Sequence, residues 1–346
     1  MRAAALALVA AALAVGFVGA EAPAHFVVKP LVSTGSRTAA THDPKLMNAW
    51  GLAATAKGPW WVANEGNSTS TIYTGGGAKQ SLTVSVPGGP TGVVYNGGSG
   101  FLVGHGQDRE PARFLYACED GRIRAWSPNV PHGWSQQAVV GYDASGTGAV
   151  FRGIALAKGR LYVADFHDAR VLVFDSRWHR VVRHGAFVDP AVPSWYAPFN
   201  IQALGGHLFV SYAWRAPVDG NDAPSGGYVD EFDLQGRLVA RVARTGDLAE
   251  PWGLALAPQG FGRFAGDLLV ANFGTGRIDA FAEKQGRWTP AGRLPVHVPA
   301  VWGIAFGDGG LSGPRTTLFF TAGPHSWVGS SENEVEGEFG SITLSA

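Results

Sequence analysis

Short apolar runs separated by brief polar or glycine-containing turns recur along this chain, and the cleanest example is Gly153–Asp175, GIALAKGRLYVADFHDARVLVFD. Gly153–Leu156 forms a first apolar run and a Lys-Gly turn follows. Leu161–Phe166 is a second run, His167-Asp168-Ala169 a polar hairpin, and Arg170–Phe174 a third run. Runs of this length, rich in β-branched and aromatic residues and bounded by turn formers, predict strands.

The pattern repeats. Tyr162–Asp175 (YVADFHDARVLVFD) aligns without a gap to Leu269–Ala282 (LVANFGTGRIDAFA) and to Trp61–Thr74 (WVANEGNSTSTIYT). Weaker copies begin at Phe114, Phe209 and Phe319, the last two with insertions. Each copy follows an apolar strand opened at Gly51, Gly92, Gly153, Asn200, Gly253 or Gly303, with spacings of 41, 61, 47, 53 and 50 residues. Six units near the length of a propeller blade predict an all-β fold, a six-bladed β-propeller, because one small sheet cannot bury both its faces and six packed radially can. The sixth unit ends at its third strand, Ser341–Ser345, while Phe26–Ser33 (FVVKPLVS) precedes the first unit. That N-terminal strand is therefore expected to close the last blade from outside and remove an open edge. Phe101–Val103 is an apolar run with no place in the repeat, either an extra strand or a bulged extension.

Composition agrees with this reading and narrows the function. The chain of 346 residues is 46% hydrophobic, with 49 Gly and 21 Pro, as a turn-rich β protein requires. Lys+Arg and Asp+Glu balance at 27 each, so the electrostatic footprint of a nucleic-acid binder is missing. Arg2, the apolar Ala3–Val18 and the small residues Val18-Gly19-Ala20 read as a cleaved signal peptide over residues 1–20. One domain over 26–346 follows, secreted or periplasmic, with no second stretch able to span a bilayer and a monomer as the expected state. The single cysteine, Cys118, excludes an internal disulfide framework and a cysteine zinc cage, and its distance from the leader excludes a lipoprotein anchor.

The motifs HDPKLMNAWGLA (His42–Ala53), YAPFNIQ (Tyr196–Gln202), PWGLA, VWGIA, LFFTAGP (Leu318–Pro324) and GEFGSI (Gly337–Ile342) resemble a family of secreted bacterial propeller-like proteins that brings no assigned activity. More distantly, GIAL…LYVADF…RVLVFD is similar to the NHL repeat and to the gluconolactonase/senescence-marker and streptogramin-lyase propellers. That resemblance implies six blades and a binding or active face at one mouth of the channel. It also implies metal ligands at Asn-Gly or Asp-Gly openings, where this chain has Arg152-Gly153, Trp252-Gly253 and Trp302-Gly303, with only Asn200 offering an oxygen. This departure counts against a metal-dependent lactonase.

Two sets of positions carry the candidate chemistry. The residues at the openings, Trp50, Thr91, Arg152, Phe199, Trp252 and Trp302, together with Asn200, are expected to ring one channel mouth. Such a ring suits a sugar or flat ligand with an anionic group on Arg152, and equally suits aromatic packing that seals the channel. The ends of the second strands include Asn64, Asp165 and Asn272, oxygen donors of the kind Ca²⁺ takes, or alternatively residues that cap hairpins. No other cofactor is indicated, and no catalytic residue is assigned. No Gly-x-Ser-x-Gly elbow occurs, TGGGAKQS (Thr74–Ser81) lacks P-loop spacing, and the acidic run Glu332, Glu334, Glu336 and Glu338 reads as a solvated loop. His42, His105, His167 and His325 fall in predicted loops, and His42-Asp43 before Pro44 reads as a turn. The expected function is binding of a small molecule, a glycan or an extracellular protein without catalysis. The alternative is a channel-mouth hydrolase or lyase, lactonase-like and dependent on a divalent metal.

Overall fold

A computed structural model describes residues 25–35, 39–216, 226–246, 248–323 and 335–345. The predicted leader, Glu332, Glu334 and His325 lie outside the described residues. The described chain is all-β, with short 3₁₀ turns and no α-helix, and forms a six-bladed propeller. No described helix is long and apolar enough to cross a membrane.

The second strand of blade 3 shows why the apolar runs are continuous rather than alternating. Leu161 and Val163 pack in a core shared with blade 2, while Tyr162 and Ala164 pack in a core shared with blade 4. Both faces are buried, so both residue sets are apolar. The same arrangement around the ring gives six cores, one between each pair of neighbouring blades, and a seventh on the axis.

Closure follows the expected route. His25–Ser33 pairs antiparallel with the last strand, Glu338–Ser345, from His25 opposite Ser345 to Ser33 opposite Glu338. The register shifts between Pro30 and Val32, a bulge where a proline without an N–H is tolerated. A buried carboxylate anchors this closure. Asp43 accepts hydrogen bonds from Tyr73 Oη (2.6 Å), Lys79 Nζ (2.7 Å) and the Lys45 amide (3.0 Å). Burial alone would raise its pKa, but these donors outweigh burial and hold it below the usual carboxylate range.

Blades 2 and 3 depart from the repeat together. Blade 3 has only three strands, Phe151–Ala157, Arg160–Asp165 and Arg170–Phe174. Phe101–Val103 belongs to an extra hairpin of blade 2, with Leu102–Val103 paired to Glu110–Pro111. That hairpin docks on the turn that follows the third strand of blade 3, where Phe101 N donates to Ser176 O at 2.6 Å, while Arg180 bridges Phe174 on the outer edge of that strand. The hairpin, inserted between the first and second strands of blade 2, accounts for the long 61-residue spacing. Two smaller expectations change. Lys79–Ser85 is the outer strand of blade 1, so TGGGAKQS is only partly loop, and Glu338 is buried inside a strand rather than solvated.

Candidate functional site: a sealed mouth and an open one

The six opening residues share a backbone device. In blades 3, 4 and 5 the register against the second strand shifts between Phe151 and Gly153, Pro198 and Asn200, and Pro251 and Gly253, leaving Arg152, Phe199 and Trp252 as the extra residue. Equivalent shifts span Trp50 in blade 1, Thr91 in blade 2 and Trp302 in blade 6. A bulge bends its strand and re-aims a side chain, and here it does so at the same level in every blade. The residue after the bulge faces the next inner strand at close quarters. A Cβ on Gly253 would lie 2.4 Å from Trp302 O, and one on Gly303 2.6 Å from Trp50 O. Close backbone approach, rather than turn geometry, therefore dictates these glycines.

What the bulges gather is a packed aromatic cluster. Trp50 stacks on Trp302 with ring centroids 3.5 Å apart, and Trp302 stacks on Phe273 at 3.8 Å. Trp252 stands edge-on to Trp50 (5.8 Å) and Trp302 (6.2 Å), and Phe199 lies 6.2 Å and 6.0 Å from the same two rings. The three tryptophans are 3–4% exposed and Phe199 is fully buried. Trp252 Nε1 donates across the axis to Arg152 O (3.2 Å), and Trp302 Nε1 to Asn48 Oδ1 (3.2 Å), whose amide is in turn held by Glu65. Arg152 pairs with Glu119 at 2.5 Å, and its guanidinium lies over the rings of Trp50 and Phe166. Its charge is thus already matched by a carboxylate and two aromatic faces.

The polar members are also turned inward. Thr91 Oγ1 lies 3.0 Å from Phe151 O and 3.2 Å from Ala117 O, linking blades 2 and 3. Asn200 Nδ2 donates to Trp252 O at 2.7 Å and its Oδ1 accepts from Ile201 N at 2.8 Å. Asn200 occupies the space beside Gly153, where a Cβ would meet its Oδ1 at 2.4 Å.

Asn64, Asp165 and Asn272 sit in three different blades, each engaged within its own. Asn272 Oδ1 accepts from Ala249 N (3.0 Å), while its Nδ2 donates to Asp279 (2.9 Å). Asp165 accepts from Val150 N, Asp168 N and Arg170 Nε. Burial, helped by the Asp168 charge, nevertheless raises its pKa. Asn64 Nδ2 donates to Thr69 and Thr71, and its buried Oδ1 has no hydrogen-bond partner among the described residues. No group of three or more His, Cys, Asp or Glu side chains among the described residues is placed to hold a metal ion. His42 and His105 are exposed, and His167 lies 3.0 Å from Asp168.

The other end of the axis differs. Beyond the glycine level a cavity of about 20 Å³, room for roughly one water, is lined by Gly51, Gly92, Asn200, Gln202 and Trp252. It leads to a depression of about 380 Å³ at the ends of the inner strands, walled by Leu52, Trp60, Tyr95, Leu156, Gln202 and Phe306. Asp308 at its rim is committed to Gly310 N and Ser312 Oγ, so Gln202 offers the central side-chain amide. Sequence reasoning passed over Gln202, although strand alternation from Asn200 places it on the same face.

A second group missed from sequence is buried in blade 4. Asp189 accepts a two-pronged ion pair from Arg241 (2.6 and 2.7 Å). Nearby Asp230 Oδ2 and Tyr212 Oη are buried without a hydrogen-bond partner among the described residues. Burial, then the Asp189 charge, pushes the Asp230 carboxyl up to about 7, against the pull of Arg244 and Arg241.

Fold and axis together define a six-bladed β-propeller that is plugged by aromatics at one mouth and open at the other. The chain is 34% identical over 313 residues to "Uncharacterized protein R648" of Acanthamoeba polyphaga mimivirus, covering 84% of this chain and 75% of that one. It is 32% identical over 304 residues to "Uncharacterized protein L690" of the same virus, covering 82% and 80%. The chain belongs to the family of these proteins. No family model matches it. Among solved structures it is similar to the PQQ-bound aldose sugar dehydrogenase of Streptomyces coelicolor (TM-score 0.56, 18% identity, 93% and 99% of the two chains). It is likewise similar to the virginiamycin B lyase of Staphylococcus aureus (TM-score 0.53, 11% identity, 93% and 100%). At these identities the likeness establishes the fold alone.

Proposed function

We propose that this protein is a secreted or periplasmic binding module that acts without catalysis and takes a small neutral ligand, such as a glycan unit, at the mouth opposite the tryptophan cluster. The observation that carries this reading is the asymmetry of the axis: stacked rings fill one mouth, while the other opens into a 380 Å³ hollow. That volume, with apolar and aromatic walls and a single amide at its centre, has the character of a small-molecule site. The candidate oxygen donors of the plugged side are spent largely on the fold, which leaves few groups for acid–base work there.

The experiment is ligand-observed NMR with a panel of neutral mono- and disaccharides, repeated on Gln202→Phe, which removes the central amide and narrows the hollow. Saturable binding lost in Gln202→Phe and kept in Arg152→Ala supports the proposal. Absence of binding by the whole panel, or binding indifferent to Gln202→Phe, overturns it. The second reading, a divalent-metal hydrolase or lyase at the plugged mouth, is favoured by the unpartnered Asn64 Oδ1. It predicts a thermal shift on adding Ca²⁺ that chelator reverses and Asn64→Ala abolishes.

A further inference from the structure

The extra hairpin of blade 2 and the turn after the third strand of blade 3 hold each other in place. Its neck is pinned by Asn96 Nδ2, which donates to Gly100 O (3.1 Å) and Ala112 O (2.8 Å). Phe101, buried with φ +56°, donates its amide to Ser176 and sets its ring edge-on to Trp178 at 5.1 Å. Trp178 itself has φ +69° and donates Nε1 to Leu102 O at 3.0 Å. A Cβ on Gly141 would lie 2.4 Å from the Trp178 ring, so this ring is held between blade 2 and the hairpin. Two bulky residues in the left-handed region are costly, and such strain persists only where the surroundings over-determine it.

The result is a rigid aromatic wall to a cavity of about 440 Å³ between blades 2 and 3, which also presents Ser99, Arg109, Ser176, Arg177 and His179. Arg109 and Arg177 make no ion pair among the described residues. Two acidic groups nearby are already engaged. Asp175 accepts from the Arg177 and His179 amides and lies 3.2 Å from His179 Nδ1, and Glu110 accepts from Ser127 and Asn129; Asp108 is exposed, 3.6 Å from His132. The cavity therefore holds two uncommitted guanidinium groups, two serines and an aromatic ring on an immobilised frame. Guanidinium forks match oxyanions, and a fixed indole suits the flat or apolar face of a ring.

The geometry points to a second binding site here, for a sugar-sized ring that carries an oxyanion, be it carboxylate, sulfate or phosphate. It is separate from the channel mouth and does not depend on the neutral ligand proposed there. The test is calorimetric or NMR titration at low ionic strength with glucuronate, glucose 6-sulfate and glucose 6-phosphate, with glucose as the neutral control. Saturable binding of at least one anion is expected, weakened about tenfold or more in Arg109→Ala/Arg177→Ala and unchanged in Gln202→Phe. The anion that binds tightest distinguishes the three groups. Both arginines are exposed, so the double variant is expected to keep the native circular dichroism. Failure of all three anions to saturate, equal binding of glucose, or undiminished affinity in the double variant overturns the proposal.

Discussion

Replacing Trp302 by alanine is expected to lower the free energy of unfolding by about 3–5 kcal/mol, the cost of removing a large aromatic from a packed interior. Trp302 is the centre of the plug. Trp50 covers one neighbouring position at 3.5 Å and Phe273 another at 3.8 Å, both nearly parallel, while Trp252 meets it edge-on. Truncation removes the stacking contacts of Trp50 and Phe273 and the edge contact of Trp252, and frees Asn48 Oδ1 of its indole donor. It also sits in the bulge that joins blade 6 to blade 1, so the void opens where the ring of blades closes. Relaxation into this void is limited because Gly303 already lies against the backbone of Trp50. Denaturant unfolding of the native chain and Trp302→Ala reads the difference. A loss below about 1 kcal/mol would show that the ring is displayed rather than packed, since surface substitutions fall in that range.

Asp230→Asn is expected to act in the opposite direction, stabilising the protein at pH 8 by about 2–4 kcal/mol and scarcely at all near pH 4. Asp230 is 2% exposed and its carboxyl is pushed up by burial to about 7, from the 3.8 of an ordinary aspartate. A carboxyl whose folded pKa is raised is protonated in the native chain while the unfolded chain has already ionised. The penalty is absent below about pH 4, grows as pH rises toward 7 and stays constant above it. Asparagine keeps the shape and removes the proton linkage. Its amide can donate where Asp189 supplies negative charge, the same charge that helps raise Asp230. Thermal or denaturant unfolding of both proteins between pH 4 and pH 8 checks this. A gain that does not change with pH would mean that Asp230 is ionised in the native state.

The repeat made the blades, their number and the N-terminal closing strand legible, because a sheet buried on both faces writes itself as continuous apolar runs. The six ring positions were legible too, as the residues before the five opening glycines and Asn200. Their orientation was not. An aromatic that plugs an axis and one that displays itself to a sugar have the same identity and spacing, and only the ring-to-ring distances separate them. The bulges that hold them also leave no mark beyond the glycine, whose reason is the next strand's backbone. Asp230 and Asp189 were invisible for a related cause: in YVDEF a polar residue reads as the wet face of a strand, whereas blade 4 buries it beside Arg241 of the next strand and Asp189 from the loop before the blade. The Phe101–Val103 run was seen but not placed, since its partner, Glu110–Pro111, is a two-residue strand that carries no apolar signature of its own.

The sealed mouth is tested most directly by ¹⁹F NMR of protein labelled at its 12 tryptophans with 5-fluorotryptophan, with signals assigned by single Trp→Phe substitutions. A soluble paramagnetic chelate is then added. Trp134, 93% exposed, and Trp195, 56% exposed, should broaden and serve as internal controls. Trp50, Trp252 and Trp302 should remain sharp, as three rings packed on one another away from solvent. Broadening of these three comparable to that of Trp134 would contradict the plug and return the aromatic ring to the role of a ligand site.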